Sequence, residues 1–219
     1  MKDLGKFEKL GDLWIRILNE LYINGKDEIY TDNPGEDYEV KELIGLTAEV
    51  ENAVLPDDII EKYKVQEEYD WMVRNFTVQE EVEKLNNQNS YASRLYSYMG
   101  QKDQVKWLVE KLKKNPKTRS AALTMFEPIT DEWYIPCVSL LDFQEENGSL
   151  NMTAYCRALD FGRKAYINLV MLWIILNNIS EAVDKPCGKL VLIVKSAHYY
   201  IRDIKKIETI LKSEGIIAK

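Results

Sequence analysis

The sequence predicts an α+β fold in which a mixed sheet is covered by helices, and three observations carry that expectation. Two apolar runs, IPCVSLLDF and SLNMTAYCRAL, flank Glu145-Glu146-Asn147-Gly148. Asn-Gly between alternating runs is the strongest short-range hairpin signal. Near the C-terminus, GKLVLIVKSAHYY is an almost unbroken β-branched run, the mark of a buried strand. Apolar residues also recur at helical spacing in residues 7–23 and 101–114.

In chain order, residues 7–23 place Leu10, Leu13, Trp14, Ile17, Leu18 and Leu21 on one helical face, ended by Asn24-Gly25. Residues 26–40 are acidic and turn-rich, with Asn33-Pro34-Gly35 as a breaker. A strand is expected near 41–50. Pro56 opens a helical stretch near 57–75, followed by the polar segment TVQEEVEKLNNQNS. The helix near 101–114 turns Val105, Leu108, Val109 and Leu112 inward and is closed by Asn115-Pro116. Strands near 119–126, 134–144, 149–159 and 188–196 follow, with helices near 165–180 and 201–213.

Composition narrows the function. The 219 residues suit one domain spanning 1–219, and 46% hydrophobic with 30% charged residues is a soluble, globular balance. A net charge of −7 argues against nucleic acid as a partner, because phosphate backbones require basic surfaces. The most apolar stretch, 166–179, is too short and too punctuated by asparagine to span a bilayer, so no membrane partner is expected. Met1-Lys2-Asp3 starts no signal peptide, and the cytoplasm is the expected compartment. Three unevenly spaced cysteines make neither a disulfide framework nor a zinc signature, and a single histidine excludes a multi-histidine site, so no metal is expected.

The chemistry concentrates between Tyr134 and Asn168. Cys137 follows a proline, Arg157 and Asp160 leave the second strand, and Asn168 opens an apolar helix. A thiol, a cation, a carboxylate and an amide in one hairpin and one helix start suit nucleophilic attack on an anionic, hydrogen-bonding substrate. A guanidinium near the thiol is expected to lower its pKa. Cys156 and Cys187 read as buried strand cysteines, small hydrophobes without chemistry.

Pro136-Cys137, Phe143-Gln144, Gly148-Ser149-Leu150, Tyr155-x-Arg157-x-x-Asp160, Asn168 and Ala197-His198-x-Tyr200 resemble, in order and spacing, the catalytic half of thymidylate synthase. That family's pattern runs Pro-Pro-Cys-His, Phe-Gln, Gly-x-Leu, Tyr-Gln-Arg-Ser-x-Asp, Gly-x-Pro-Phe-Asn and Ala-His-x-Tyr. The resemblance implies a thymidylate synthase-like homodimer joined through its sheet. It implies Cys137 as nucleophile, Glu68 as general acid/base, and Tyr91 and Asp160 as further catalytic residues. Arg119, Arg157, Asn168, His198 and Tyr200 would bind a pyrimidine nucleoside monophosphate, with Arg119 reaching a phosphate across the dimer. The one-carbon donor would be methylene tetrahydrofolate or a related reduced pterin of the tetrahydromethanopterin type. Tyr91-Ala92-Ser93-Arg94-Leu95 would be a strand near 91–98. Glu67, Glu68 and Asp70 also read simply as the solvated face of a surface helix.

The chain departs from the pattern in several places. Residues 26–40 contain no arginine, and Ser120 stands where a second phosphate arginine is expected after Arg119. Val138 replaces the histidine after the nucleophile, and Ala158 replaces a phosphate-binding serine. The segment after residue 76 lacks the tryptophans that shield the pterin, and no counterpart of the family's C-terminal tail follows residue 213. Conversion of dUMP to dTMP is the leading expectation. A pyrimidine-nucleotide hydroxymethyltransferase and a non-catalytic nucleotide-binding relative are the alternatives.

Overall fold

The computed structural model describes residues 1–33, 36–132 and 134–218. Its centre is a seven-stranded mixed sheet of β1 (Lys2–Phe7), β2 (Lys26–Asn33), β3 (Glu36–Glu51), β6 (Ala122–Thr124), β7 (Val138–Glu146), β8 (Ser149–Asp160) and β9 (Cys187–Tyr200). The spatial order is β1-β3-β9-β8-β7-β6, and β2 joins the free end of the long β3. β1 runs parallel to β3 and β8 parallel to β9, whereas the remaining pairs are antiparallel. A separate two-stranded ribbon pairs β4 (Glu81–Val82) with β5 (Gln88–Asn89).

The hairpin forms where Asn-Gly predicts it. Asn147 (φ 52°) and Gly148 (φ 90°) both take left-handed backbone, and Glu145 Oε1 accepts the Gly148 N–H at 2.8 Å. Such a turn matches the twist of the strands it joins. Helix α1 (Leu10–Asn24) buries all six residues assigned to its inner face and ends on a Gly25 N–H bond to the Leu21 carbonyl at 2.9 Å. Helix α6 (Ala165–Ala182) connects β8 to its parallel neighbour β9 and is buried on nearly every side. By length and composition it could cross a membrane, but 72% of it is buried inside this fold, as a core helix requires. Trp14 ties the two helices together, its ring 4.9 Å from that of Tyr166.

Several elements differ from expectation. Residues 2–7 form an edge strand, so α1 starts at Leu10 rather than residue 7; the strand has no fully buried residue and lacks a clean alternation to read. The acidic stretch 26–33 is β2, paired through most of its length with β3, and Pro34-Gly35 lie outside the described residues. The helix expected over 57–75 is two, α2 (Asp58–Tyr63), capped by Asp57, and α3 (Gln66–Thr77). The strand near 91–98 is instead a helix, α4 (Tyr91–Tyr96): the Ser90 hydroxyl accepts the Ser93 N–H at 3.0 Å and caps it. Of the strand near 119–126 only Ala122–Thr124 is regular strand, with Ala121 and Met125 each adding one backbone bond to β7, and β7 begins at Val138, leaving residues 134–137 as an irregular lead-in. Helices α5 (Gln104–Lys114) and α7 (Ile204–Ser213) stand where expected.

The helices cover one face of the sheet. On the other, Thr124, Leu140, Tyr155, Ile193 and Thr47 form one cross-strand row, in which Leu140 and Tyr155 are 39% and 40% exposed. Neighbouring rows on that face carry Asp142, Thr153, Gln144 and Asn151, so it is mixed rather than uniformly apolar.

Candidate active site

The candidate residues converge where β8 and β9 end and β7 begins. Arg157 donates its backbone N–H to the Cys137 carbonyl at 2.8 Å, and Asp160 lies opposite His198 across the parallel pair. The chain then turns through residues 161–164 into α6. That turn is held from three sides: Trp14 Nε1 donates to the Phe161 carbonyl at 2.8 Å, Lys206 Nζ to the Gly162 carbonyl at 3.1 Å, and the Phe161 N–H to the His198 carbonyl at 2.7 Å. A Cβ on Gly162 would stand 3.1 Å from that of Tyr199, so the turn packs directly on β9.

Cys137 is a free, partly buried thiol. Burial pushes it above its ordinary value, Arg157 and Lys164 pull it back, and Asp160 adds to the rise. The expectation that a guanidinium lowers this thiol is therefore half correct: the cation acts in that direction, but desolvation outweighs it. Arg157 is exposed and donates Nη2 to the Ile135 carbonyl at 2.9 Å, bracing the lead-in to Cys137. Tyr91 accepts the Val138 N–H at 3.1 Å and stacks on Phe76 at 4.4 Å, while burial drives its phenol well above the usual range. It reaches Val138, the residue after Cys137, from α4, not from a strand.

Glu68 is not part of a solvated face. Its Oε1 accepts from Arg163, at 2.9 Å from Nε and also from Nη2, and its Oε2 is buried with no hydrogen-bond partner among the described residues. Glu67 and Asp70, one position before and two after, are exposed. Asn168 sits in the first turns of α6, 4% exposed. Its Nδ2 makes a long 3.4 Å contact to the Lys164 carbonyl, and its Oδ1 is buried without a partner among the described residues. The Asp160 carboxyl is pushed up to about 6, by burial and by the facing Asp203, against Lys164, the Gly162 N–H and Arg163.

His198 and Tyr200 meet edge to face, ring centres 5.6 Å apart, and Arg202 lies 4.6 Å above the Tyr200 ring. Beside them a cavity of about 310 Å³ opens between β9 and the β2–β3 hairpin, walled by Tyr38, Glu39, Tyr200 and Arg202. Arg119 is the exception. The Ala121 carbonyl accepts the Phe143 N–H, which sets this segment beside β7 six residues beyond Cys137. At ~3.3 Å per residue that is about 20 Å from the thiol. Within one chain Arg119 does not join the site.

Sequence reasoning missed Arg163 and Lys164. Arg163 anchors Glu68, and Lys164 is a second cation acting on the thiol, its Nζ 5.1 Å above the Trp71 ring. The signal was present: Lys164 stands four residues before Asn168, where the family pattern has glycine. Cys156 is fully buried with its thiol pushed far up, and Cys187 is partly buried. Among the described residues no three His, Cys, Asp or Glu side chains group as a metal site.

A mixed sheet with a thiol, cations and carboxyls gathered at one end suits a one-carbon transferase that acts on a pyrimidine nucleotide, and comparison with known proteins places the chain in that class. The thymidylate synthase family model matches residues 40–216, and the chain belongs to that family. It is 30% identical over 210 residues to a protein of Methanosarcina mazei named "Putative thymidylate synthase", covering 94% of this chain and 93% of that one. Proteins of the same name from Methanosarcina acetivorans and Methanococcoides burtonii are 28% and 27% identical over 210 and 212 residues, each covering 94% of this chain and 93% and 94% of their own.

Proposed function

We propose that the protein transfers a one-carbon unit from a reduced methylene pterin to carbon 5 of dUMP, forming dTMP through a covalent Cys137 adduct. The observation that carries the base assignment is Asn168: a buried carboxamide oxygen without a partner among the described residues waits for a donor. Uracil offers a ring N–H beside a carbonyl, which one carboxamide satisfies with its oxygen and its amine together.

In this reading the Cys137 thiolate adds to carbon 6 of the ring, and the electron pair moves to carbon 5 and the carbonyl, making carbon 5 nucleophilic. Arg157 and Lys164 stabilise the thiolate as substrate is bound, and Arg157 also meets the phosphate, for which its planar fork is suited. Glu68, held by Arg163 through one oxygen, presents the other to the base as general acid/base. Asp160 contacts the ring and its ordered water, Tyr91 holds the backbone beside the thiol, and His198 with Tyr200 receives the sugar hydroxyl. Loss of the carbon-5 proton and departure of the thiolate then restore the ring. The Trp71 face and the Asp160 carboxyl, at the same corner, fit a flat, N–H-rich reduced pterin such as methylene tetrahydrofolate or a tetrahydromethanopterin-type donor. When bound, that donor supplies the carbon and, for methylation, a hydride.

A single domain acting as a homodimer completes the proposal. The bare sheet face carrying Leu140 and Tyr155 is the surface for a two-fold partner, and pairing there would let Arg119 serve the partner's phosphate. A second reading, hydroxymethylation, is favoured by the 81–89 ribbon: it carries exposed Glu81, Glu83 and Lys84 where tryptophans would exclude water. Tritium release from carbon-5-labelled dUMP tests both. Release together with dTMP formation supports the synthase, release with a hydroxymethyl product supports the second reading, and no release overturns both.

A further inference from the structure

The residues behind His198 form a chain of hydroxyl and carboxyl groups that the proposed reaction does not itself use. Glu42 on β3 lies directly across from His198 on β9. It is 5% exposed, yet its two oxygens are both engaged: Tyr30 Oη donates to Oε2 at 2.7 Å, and Ser196 Oγ donates to Oε1. Ser196, 6% exposed, also stands 3.5 Å from His198 Nδ1. A serine hydroxyl has one hydrogen and two lone pairs. Because that hydrogen is committed to Glu42, the Ser196 oxygen can only accept from the imidazole. Only one tautomer satisfies that requirement, with the hydrogen on Nδ1.

We propose that Glu42 and Ser196 are positioning residues that hold His198 in the Nδ1–H tautomer, so that Nε2 carries the lone pair and acts as an acceptor for the substrate's sugar hydroxyl. The role given to Nε2 rests on the nucleotide reading above; the tautomer does not. The 3.5 Å contact is at the long end for a hydrogen bond, so its control comes from the donor count rather than from a strong single interaction. The bond to Glu42 also pushes the Tyr30 phenol up to about 12, so Tyr30 keeps the hydrogen that it donates. The consequence is a site that selects a ligand hydroxyl able to donate. An ether at the same position would set two acceptors against each other in a desolvated place.

His198 is the only histidine in the chain, so its ring can be observed alone. Long-range proton–nitrogen correlation spectra of the ¹⁵N-labelled, ligand-free full chain should show Nδ1 as the protonated nitrogen. S196A should move the hydrogen toward Nε2, and S196T, which keeps the hydroxyl, should restore the wild-type pattern. Nε2–H in the wild type overturns the proposal, and so does an S196A spectrum identical to the wild type. If S196A does not fold, as judged by circular dichroism, the wild-type and S196T spectra decide alone. In a second arm, dUMP should bind at least about tenfold more tightly than its sugar O-methyl ether, and S196A should narrow that gap. Equal binding of the two by wild type overturns the acceptor role. If dUMP itself fails to bind while the tautomer is as stated, the nucleotide reading has failed and the positioning of His198 stands.

Discussion

Asn168 places a cost in the free protein that the substrate is expected to relieve, and Asn168→Leu separates the two effects. The Oδ1 is buried without a partner among the described residues, and an unsatisfied buried acceptor costs about 1–3 kcal/mol. The compensating Nδ2 bond, at 3.4 Å to a carbonyl already serving its own helix, is long and contributes about 0.5 kcal/mol or less. Leucine has a similar shape and leaves no polar atom behind. The variant should therefore be more stable by about 1 kcal/mol, raising the melting temperature by about 2–4 °C for a chain of this size. The same change removes the acceptor and donor offered to the base, so dUMP should bind about ten- to a hundredfold more weakly. Differential scanning calorimetry and isothermal titration read the two quantities separately. A variant less stable by more than about 1 kcal/mol that still bound dUMP normally would refute the reasoning, because Asn168 would then be a structural residue.

Four further outcomes follow from the site and its supports. Cys137→Ser should abolish tritium release from carbon-5-labelled dUMP while binding the nucleotide within about tenfold; retention of more than a few per cent of exchange would exclude the covalent route. Asn168→Asp should shift binding toward the cytidine nucleotide, whose exocyclic amine a carboxylate accepts, and titration of both nucleotides into both proteins checks it. Asp160 has its folded value raised to about 6 from 3.8, so the native state binds more protons than the unfolded state between these values. Stability contributed by this group should fall as pH rises from about 4 to 6, by at most about 3 kcal/mol, and Asp160→Asn should flatten that slope in denaturant melts. Arg94, 2% exposed, makes two bonds of 2.6 and 2.7 Å to the buried Asp131 and lies 3.9 Å from the buried Glu127. Arg94→Met removes the cation from both buried carboxylates and should cost about 3–5 kcal/mol in urea unfolding; a loss under about 1 kcal/mol would mean that the pair does not hold this corner together.

The sequence by itself determined the elements whose signals are local. Asn147-Gly148 dictates the β7–β8 hairpin because two adjacent residues at positive φ are tolerated there. The β-branched run dictates β9, and the spacing of Leu10, Leu13, Trp14, Ile17, Leu18 and Leu21 dictates α1. The order and spacing of motifs resembling the family pattern also pointed to Cys137, Arg157, Asp160, Asn168 and His198 as candidates; of these only Arg157 and Asp160 share one strand, where residues three apart keep a fixed relation wherever that strand packs. Only the tertiary structure decided the rest. β1 and β2 carry no clear pattern of their own and exist because β3 is long enough to pair with both along one edge. Residues 91–96 are helical because Ser90 caps them and Arg94 is buried against Asp131 from another segment. The resemblance singled out Glu68, but residue type and spacing left it on a solvated acidic face, and only the contact with Arg163, 95 positions away, sets it apart from its exposed neighbours. The state of the Cys137 thiol likewise rests on competition between burial and the charges of Arg157, Lys164 and Asp160. Desolvation and Coulomb interaction depend on distance in space, which a linear spacing does not contain.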